Sequence, residues 1–252
     1  MYKLNVIVLT LAIFFNFGIY ENKGLADDHI EPAKWAFIAQ DSISKKGCFI
    51  ELSVNGTYAG HGSGTLISVN NNKRHPKNKC LVEAIVVTCN HVTPERSPMI
   101  SVKWQDGSKH PAMLLARDTR SDVSILKTWV KAGTKPAALN ILPIQRGTKV
   151  RCFGYGGITD VSKPRYFEAE VLSHDSLDSI IINEDVVPGD SGGGIFNEKG
   201  QLVGLIAHGN SRFQTINGVT FTPIGQGTTA PIILKLLKDY TERYDHFYSE
   251  QQ

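Results

Sequence analysis

Three residues of this chain have types that could carry out acyl transfer together: His91, Asp122 and Ser191. Ser191 sits in the pentapeptide GDSGG, Gly189 to Gly193, where flanking glycines can expose a hydroxyl and let backbone N–H groups converge beside it. A free hydroxyl is a weak nucleophile until a base takes its proton, so the serine needs an imidazole. His91 ends the β-branched run VVTCNHV, Val86 to Val92. Asp122 directly precedes the apolar run of SDVSILK, where a carboxylate could orient that imidazole. Asp118 is the alternative acid, four residues upstream, but it does not directly precede that run.

The elements expected around these residues are strands. CFIELSV, TLISV, AIVVTC and MISVKW are short β-branched or aromatic runs separated by Gly, Asn and Pro. A second set follows: KVRCFGYG, YFEAEVL, SIIINE, GGIF, LVGLIAHG and a strand near Thr220. After Ser191 the runs Ile195–Phe196 and Leu202–Ala207 flank the turn Asn197–Gly200, a hairpin pattern. The G-x-S-x-G elbow of α/β-hydrolases instead places its serine between a strand and a helix, in the order Ser, acid, His. Here the order is His91, Asp122, Ser191. Ala230 to Tyr244 has apolar residues at helical spacing, including Ile233, Leu236 and Leu237.

Taken together, GSGTLIS with VVTCNHV, SDVSILK, VPGDSGG and GLIAHG resemble the chymotrypsin-fold serine endopeptidases. The likeness is to the compact bacterial trypsin-like, HtrA and glutamyl-endopeptidase branches, and it spans roughly Gly47 to Leu237. Too little chain follows Ser191 for the PDZ domain of a full HtrA protein. The resemblance implies an all-β fold of two six-stranded antiparallel β-barrels with a C-terminal helix. The barrels are expected over 47–130 and 144–229, the inter-barrel connection over 131–143, the helix over 230–245 and a tail over 246–252. It implies His91 as general base, Asp122 as its orienting acid and Ser191 as nucleophile, with the N–H groups of Gly189 and Ser191 as oxyanion hole. Asp185, six residues before Ser191, stands where trypsin-type enzymes carry the acid of the primary substrate pocket, although HtrA-like chains carry an acid nearby and select small apolar residues. His208 is expected to line the substrate cleft, as a histidine does in glutamate-selecting relatives. Asp190 matches the acid that pairs with a cleaved N-terminus in digestive zymogens, but no IVGG-type sequence precedes Cys48, so activity is expected without a second cut. The substrate is a protein or peptide. The rivals are a non-catalytic protease-like binding protein and an esterase on the same fold.

The remaining composition bears on compartment and partners. Lys3, the apolar run Val6 to Tyr20 and Gly24-Leu25-Ala26 read as a secretory signal peptide cut after Ala26, followed by an extension over 27–46. An uncleaved anchor is the other reading, although the run is shorter than the ~20 apolar residues of a spanning helix. This leaves a secreted or periplasmic monomer with no stable membrane association. The net charge is +3 with mixed signs, and the basic cluster Asn70 to Lys79 reads as a solvated hairpin loop, so no nucleic-acid partner is expected. Cys48, Cys80, Cys89 and Cys152 allow at most two disulfides, with buried free thiols as the alternative. None stands beside His91 where the family disulfide would require it. No paired C-x-x-C exists, so neither metal nor other cofactor is expected.

Overall fold

The computed structural model describes residues 43–94, 99–157, 164–176, 178–210, 214–216, 219–221 and 224–249. The expected leader and most of the extension lie outside them.

The first barrel comprises β1 (Gly47–Val54), β2 (Thr57–Arg74), β3 (Leu81–Thr88), β4 (Met99–Lys103), β5 (Lys109–Asp118) and β6 (Val123–Lys131). All pairings are antiparallel in the order β1-β2-β3-β6-β5-β4, and β4 closes the barrel onto β1. The second uses β7 (Lys149–Gly154), β8 (Arg165–Ser176), β9 (Ser179–Ile182), β10 (Gly194–Phe196), β11 (Leu202–Asn210) and β14 (Ile224–Thr229). Its order, β10-β11-β14-β9-β8-β7 with β7 closing onto β10, repeats the connectivity of the first barrel. β12 (Gln214–Ile216) and β13 (Val219–Phe221) form a separate two-stranded sheet. The strand expected near Thr220 is therefore outside the barrel, and its place is taken by β14, IGQGTT. That segment lacks a β-branched apolar run because its glycines meet neighbours directly. A Cβ on Gly225 would lie 2.6 Å from Val186 Cγ2, and one on Gly227 would collide with the Leu205 carbonyl.

Burial explains the sequence pattern. β3 is nearly all apolar because both of its faces are covered: Val82, Ala84 and Val86 belong to the core of the first barrel, whereas Ile85 and Val87 join a second core. That second core includes Phe153, Phe196 and Leu205 from the other barrel, and Ile233, Leu236 and Leu237 from the helix α1 (Ala230–Ser249). A third core, with Val171, Ile182 and Ile206, fills the second barrel. Side chains of this size each contribute roughly 1.5–3 kcal/mol when fully buried. The shared core thus clamps two barrels and a helix, leaving a seam where loops of both barrels meet.

In the connection, Ala137 N–H donates to Leu66 O at 2.8 Å and Leu202 N–H to Ala138 O at 2.8 Å, tying it to both barrels. The basic cluster is a hairpin end in which Lys73 pairs with Glu83 at 2.8 Å and Arg74 donates to Lys79 O at 3.0 Å. All four cysteines are free thiols; Cys48, Cys89 and Cys152 are buried and Cys80 is exposed. No helix among the described residues is long and apolar enough to cross a membrane.

Candidate active site

His91 lies in a single 3₁₀ turn, Asn90–Val92, directly after β3, and Asp122 in the tight turn between β5 and β6. Asp122 adopts φ +54°, a left-handed conformation that Asp tolerates better than bulky residues. The turn aims both carboxylate oxygens at one neighbour. Oδ1 accepts the backbone N–H of His91 at 2.9 Å, and Oδ2 lies 2.7 Å from His91 Nδ1. Asn90 N–H donates to Asp122 O at 3.1 Å, which fixes the turn against the end of β3. Burial pushes the Asp122 carboxyl upward in pKa. The hydrogen bonds from His91 and the charges of His91 and His208 outweigh that effect and hold it below the usual carboxylate value. Asp118 instead accepts the N–H groups of Arg120 and Ser121, so the acid on His91 is Asp122.

Ser191 comes from the second barrel, in the loop between β9 and β10. Its Oγ donates to Ala207 O at 2.9 Å, and its carbonyl accepts the N–H of Ser63 from β2 at 2.8 Å. No hydrogen bond joins Ser191 to His91 among the described residues. Gly189 holds φ +102°, and a Cβ there would lie 2.5 Å from His61 Nε2 and 2.8 Å from Tyr155 O, so only glycine fits. The preceding carbonyl, Pro188 O, is turned to Gly157 N–H at 3.3 Å. The N–H groups of Gly189 and Ser191 have no backbone acceptor among the described residues, which leaves both donors available to an anion.

Two supporting residues escaped the sequence reading. Ser63, fully buried, donates through Oγ to Gly189 O at 2.7 Å and accepts from Tyr155 N–H at 2.9 Å, coupling the GDSGG loop to both barrels. Arg165, at the start of β8, pairs with the fully buried Asp190: Nη1 is 2.6 Å from Oδ2. Asp190 also accepts from Gly156 N–H at 2.8 Å and Val187 N–H at 3.2 Å. The other Arg165 nitrogen, Nη2, donates to Asp185 O at 2.9 Å, and the guanidinium lies 4.4 Å from the Phe167 ring centroid. A Cβ on Gly154 or Gly156 would strike the Asp190 carboxylate, so FGYG in β7 and the turn after it is shaped to seat it. GDSGG signals a buried acid; nothing in the sequence singles out the arginine that neutralises it from another strand.

Asp185 is partly buried beside Val186, and its carboxylate has no hydrogen bond or ion pair among the described residues. His208, on β11, stacks on His91. Where the family disulfide would begin, Val92 follows His91 and packs on Gly62, whose absent Cβ would otherwise be 2.6 Å from Val92 Cγ1.

Two closed barrels of like connectivity, with the His–Asp pair on one and the glycine-flanked serine on the other, define a chymotrypsin-like fold. A family model described as trypsin-like peptidase domain matches residues 62–205, more than half of the chain, and the chain belongs to that family. The fold is also similar to the crystal structure of the serine endoprotease from Yersinia pestis. The TM-score is 0.62 at 17% identity, covering 84% of this chain and 68% of that one. No curated protein matches the sequence.

Proposed function

We propose that the protein is a secreted serine endopeptidase that hydrolyses peptide bonds through an acyl-enzyme intermediate. The observation that carries this reading is the doubly hydrogen-bonded His91–Asp122 pair, in a chain of the trypsin-like peptidase family that also carries the glycine-flanked Ser191. To react, Ser191 Oγ exchanges its bond to Ala207 O for one to His91 Nε2. His91 takes the hydroxyl proton as Oγ bonds to the substrate carbonyl carbon, and the π pair moves onto the carbonyl oxygen. The Gly189 and Ser191 N–H groups receive that oxyanion. His91 then gives the proton to the leaving amine as the C–N bond breaks. Water repeats the sequence on the ester and frees the acid and Ser191. Asp122 keeps the His91 Nδ1 protonated and stabilises the imidazolium.

Arg165 supports activity without a second proteolytic step, because Asp190 already has an internal cation and needs no new N-terminus. The Asp185 carboxylate, which has no hydrogen bond or ion pair among the described residues, supports a preference for Arg or Lys before the scissile bond through a charge-assisted pair. The leader would direct the enzyme out of the cytoplasm before its removal after Ala26, and the enzyme would act there as a monomer. Residues 27–252 should digest casein and a peptide library, whereas Ser191→Ala should not. Cleavage independent of Arg and Lys would remove the Asp185 assignment, and digestion that survives Ser191→Ala would remove the mechanism.

A further inference from the structure

Two histidines, not one, stand on the Asp122 carboxylate. The His208 ring stacks on His91 with centroids 5.1 Å apart and planes 23° from parallel. Its Nε2 is 3.5 Å from Asp122 Oδ2, the oxygen that His91 Nδ1 already engages at 2.7 Å. Its side chain remains 61% exposed, against 20% for Asp122, so the second imidazole covers the carboxylate from solvent. The backbone beneath it is fixed: His208 pairs with Gln226 of β14, just past a register shift after Ile206. The residue before it, Ala207, supplies the carbonyl that holds Ser191 Oγ.

We propose that His208 is a positioning residue of the triad, bracing the His91 ring against Asp122 and competing with His91 for the same carboxylate as it gains a proton. The inference rests on the roles given above to His91 and Ser191. Stacking restricts ring rotation about the Nδ1–Oδ2 axis, so more molecules keep His91 aimed at the serine. The groups facing the carboxylate are His91, His208 and Cys89, whose thiol burial keeps protonated; Gln226 beside His208 is neutral. A protonated His208 therefore adds positive charge next to His91 and opposes protonation of the base.

The test is the rate at which a fluorophosphonate labels Ser191, followed from about pH 5 to 8, the range in which histidines titrate. His208→Ala should lower the plateau rate about three- to tenfold, the scale of one lost aromatic stack. It should also move the acid limb of the profile to higher pH, because the opposing charge is gone. His208→Phe keeps the stack but not the proton, and should recover most of the plateau rate while retaining the shifted limb. Wild-type rate and limb shape in both variants would overturn the proposal. So would a rate loss in both with the limb unchanged, the mark of a merely structural residue. A wild-type protein that fails to label would instead overturn the reading of Ser191 on which the proposal rests.

Discussion

Replacing Arg165 by Met removes the cation from a carboxylate that has no exposure to water. Asp190 is 0% exposed, so it cannot recover solvation in place, and breaking a buried pair by removing one partner costs about 3–5 kcal/mol. The loss should fall near the lower end, about 3 kcal/mol, because Gly156 and Val187 still donate to Asp190. At 2–4 °C per kcal/mol for a chain of this size, the midpoint of thermal unfolding should drop by about 6–12 °C. Activity should fall further than stability alone explains. Asp190 lies between Gly189 and Ser191, the proposed oxyanion donors, and Arg165 also holds Asp185 O, so one guanidinium braces the segment at both 185 and 190. Misplacing one such donor costs ~10²–10³ in turnover. Thermal melts and fluorophosphonate labelling of Arg165→Met, Asp190→Asn and the double variant would measure both effects. The double variant should be less impaired than the sum of the single ones, since it leaves no unpaired buried charge. If Arg165→Met melts within 2 °C of wild type and labels at the same rate, Asp190 does not depend on Arg165 and the internal-cation argument is wrong.

Ser63→Ala leaves Gly189 O and Tyr155 N–H without their side-chain partner, so unfolding free energy in urea should fall by about 1–3 kcal/mol. An unchanged midpoint would show that water replaces the hydroxyl. A thiol reagent should modify one cysteine, Cys80, in the native protein and four after denaturation without reductant; fewer than four would reveal a disulfide. The Asp122 carboxyl is held low in the folded state, so its contribution to stability is complete above the unfolded value of about 3.9 and is lost as pH falls through the folded value below it. Denaturant midpoints of wild type and Asp122→Asn should therefore stay apart down to about pH 4 and converge only at lower pH. Convergence between pH 5 and 7 would mean a raised carboxyl.

Much of this site is legible in the sequence because its chemistry requires uncommon residues at fixed places on short strands. His91 ends a buried apolar run, Asp122 opens another, and Ser191 sits among glycines that no other residue could replace. The two-barrel fold is implied by the family resemblance that these motifs carry. What the sequence hides is pairing at long range. Arg165 reads as an ordinary strand residue until β7–β8 pairing places it opposite Gly154, against Asp190. β5, KHPAMLLARD, carries Pro111 and no buried residue, so the sequence pattern does not mark it as a strand. β14 is obscured for the opposite reason: it is so closely packed that glycine replaces the side chains by which strands are recognised. His208 is visible as a cleft residue, but stacking on His91 appears only once β11 is set in register.

The central claim is that His91 activates Ser191, and intact mass after fluorophosphonate treatment of residues 27–252 tests it most directly. A single adduct located on Ser191, formed far more slowly in His91→Ala, is the predicted result. No adduct on the wild type, or one that forms equally fast without His91, would contradict it.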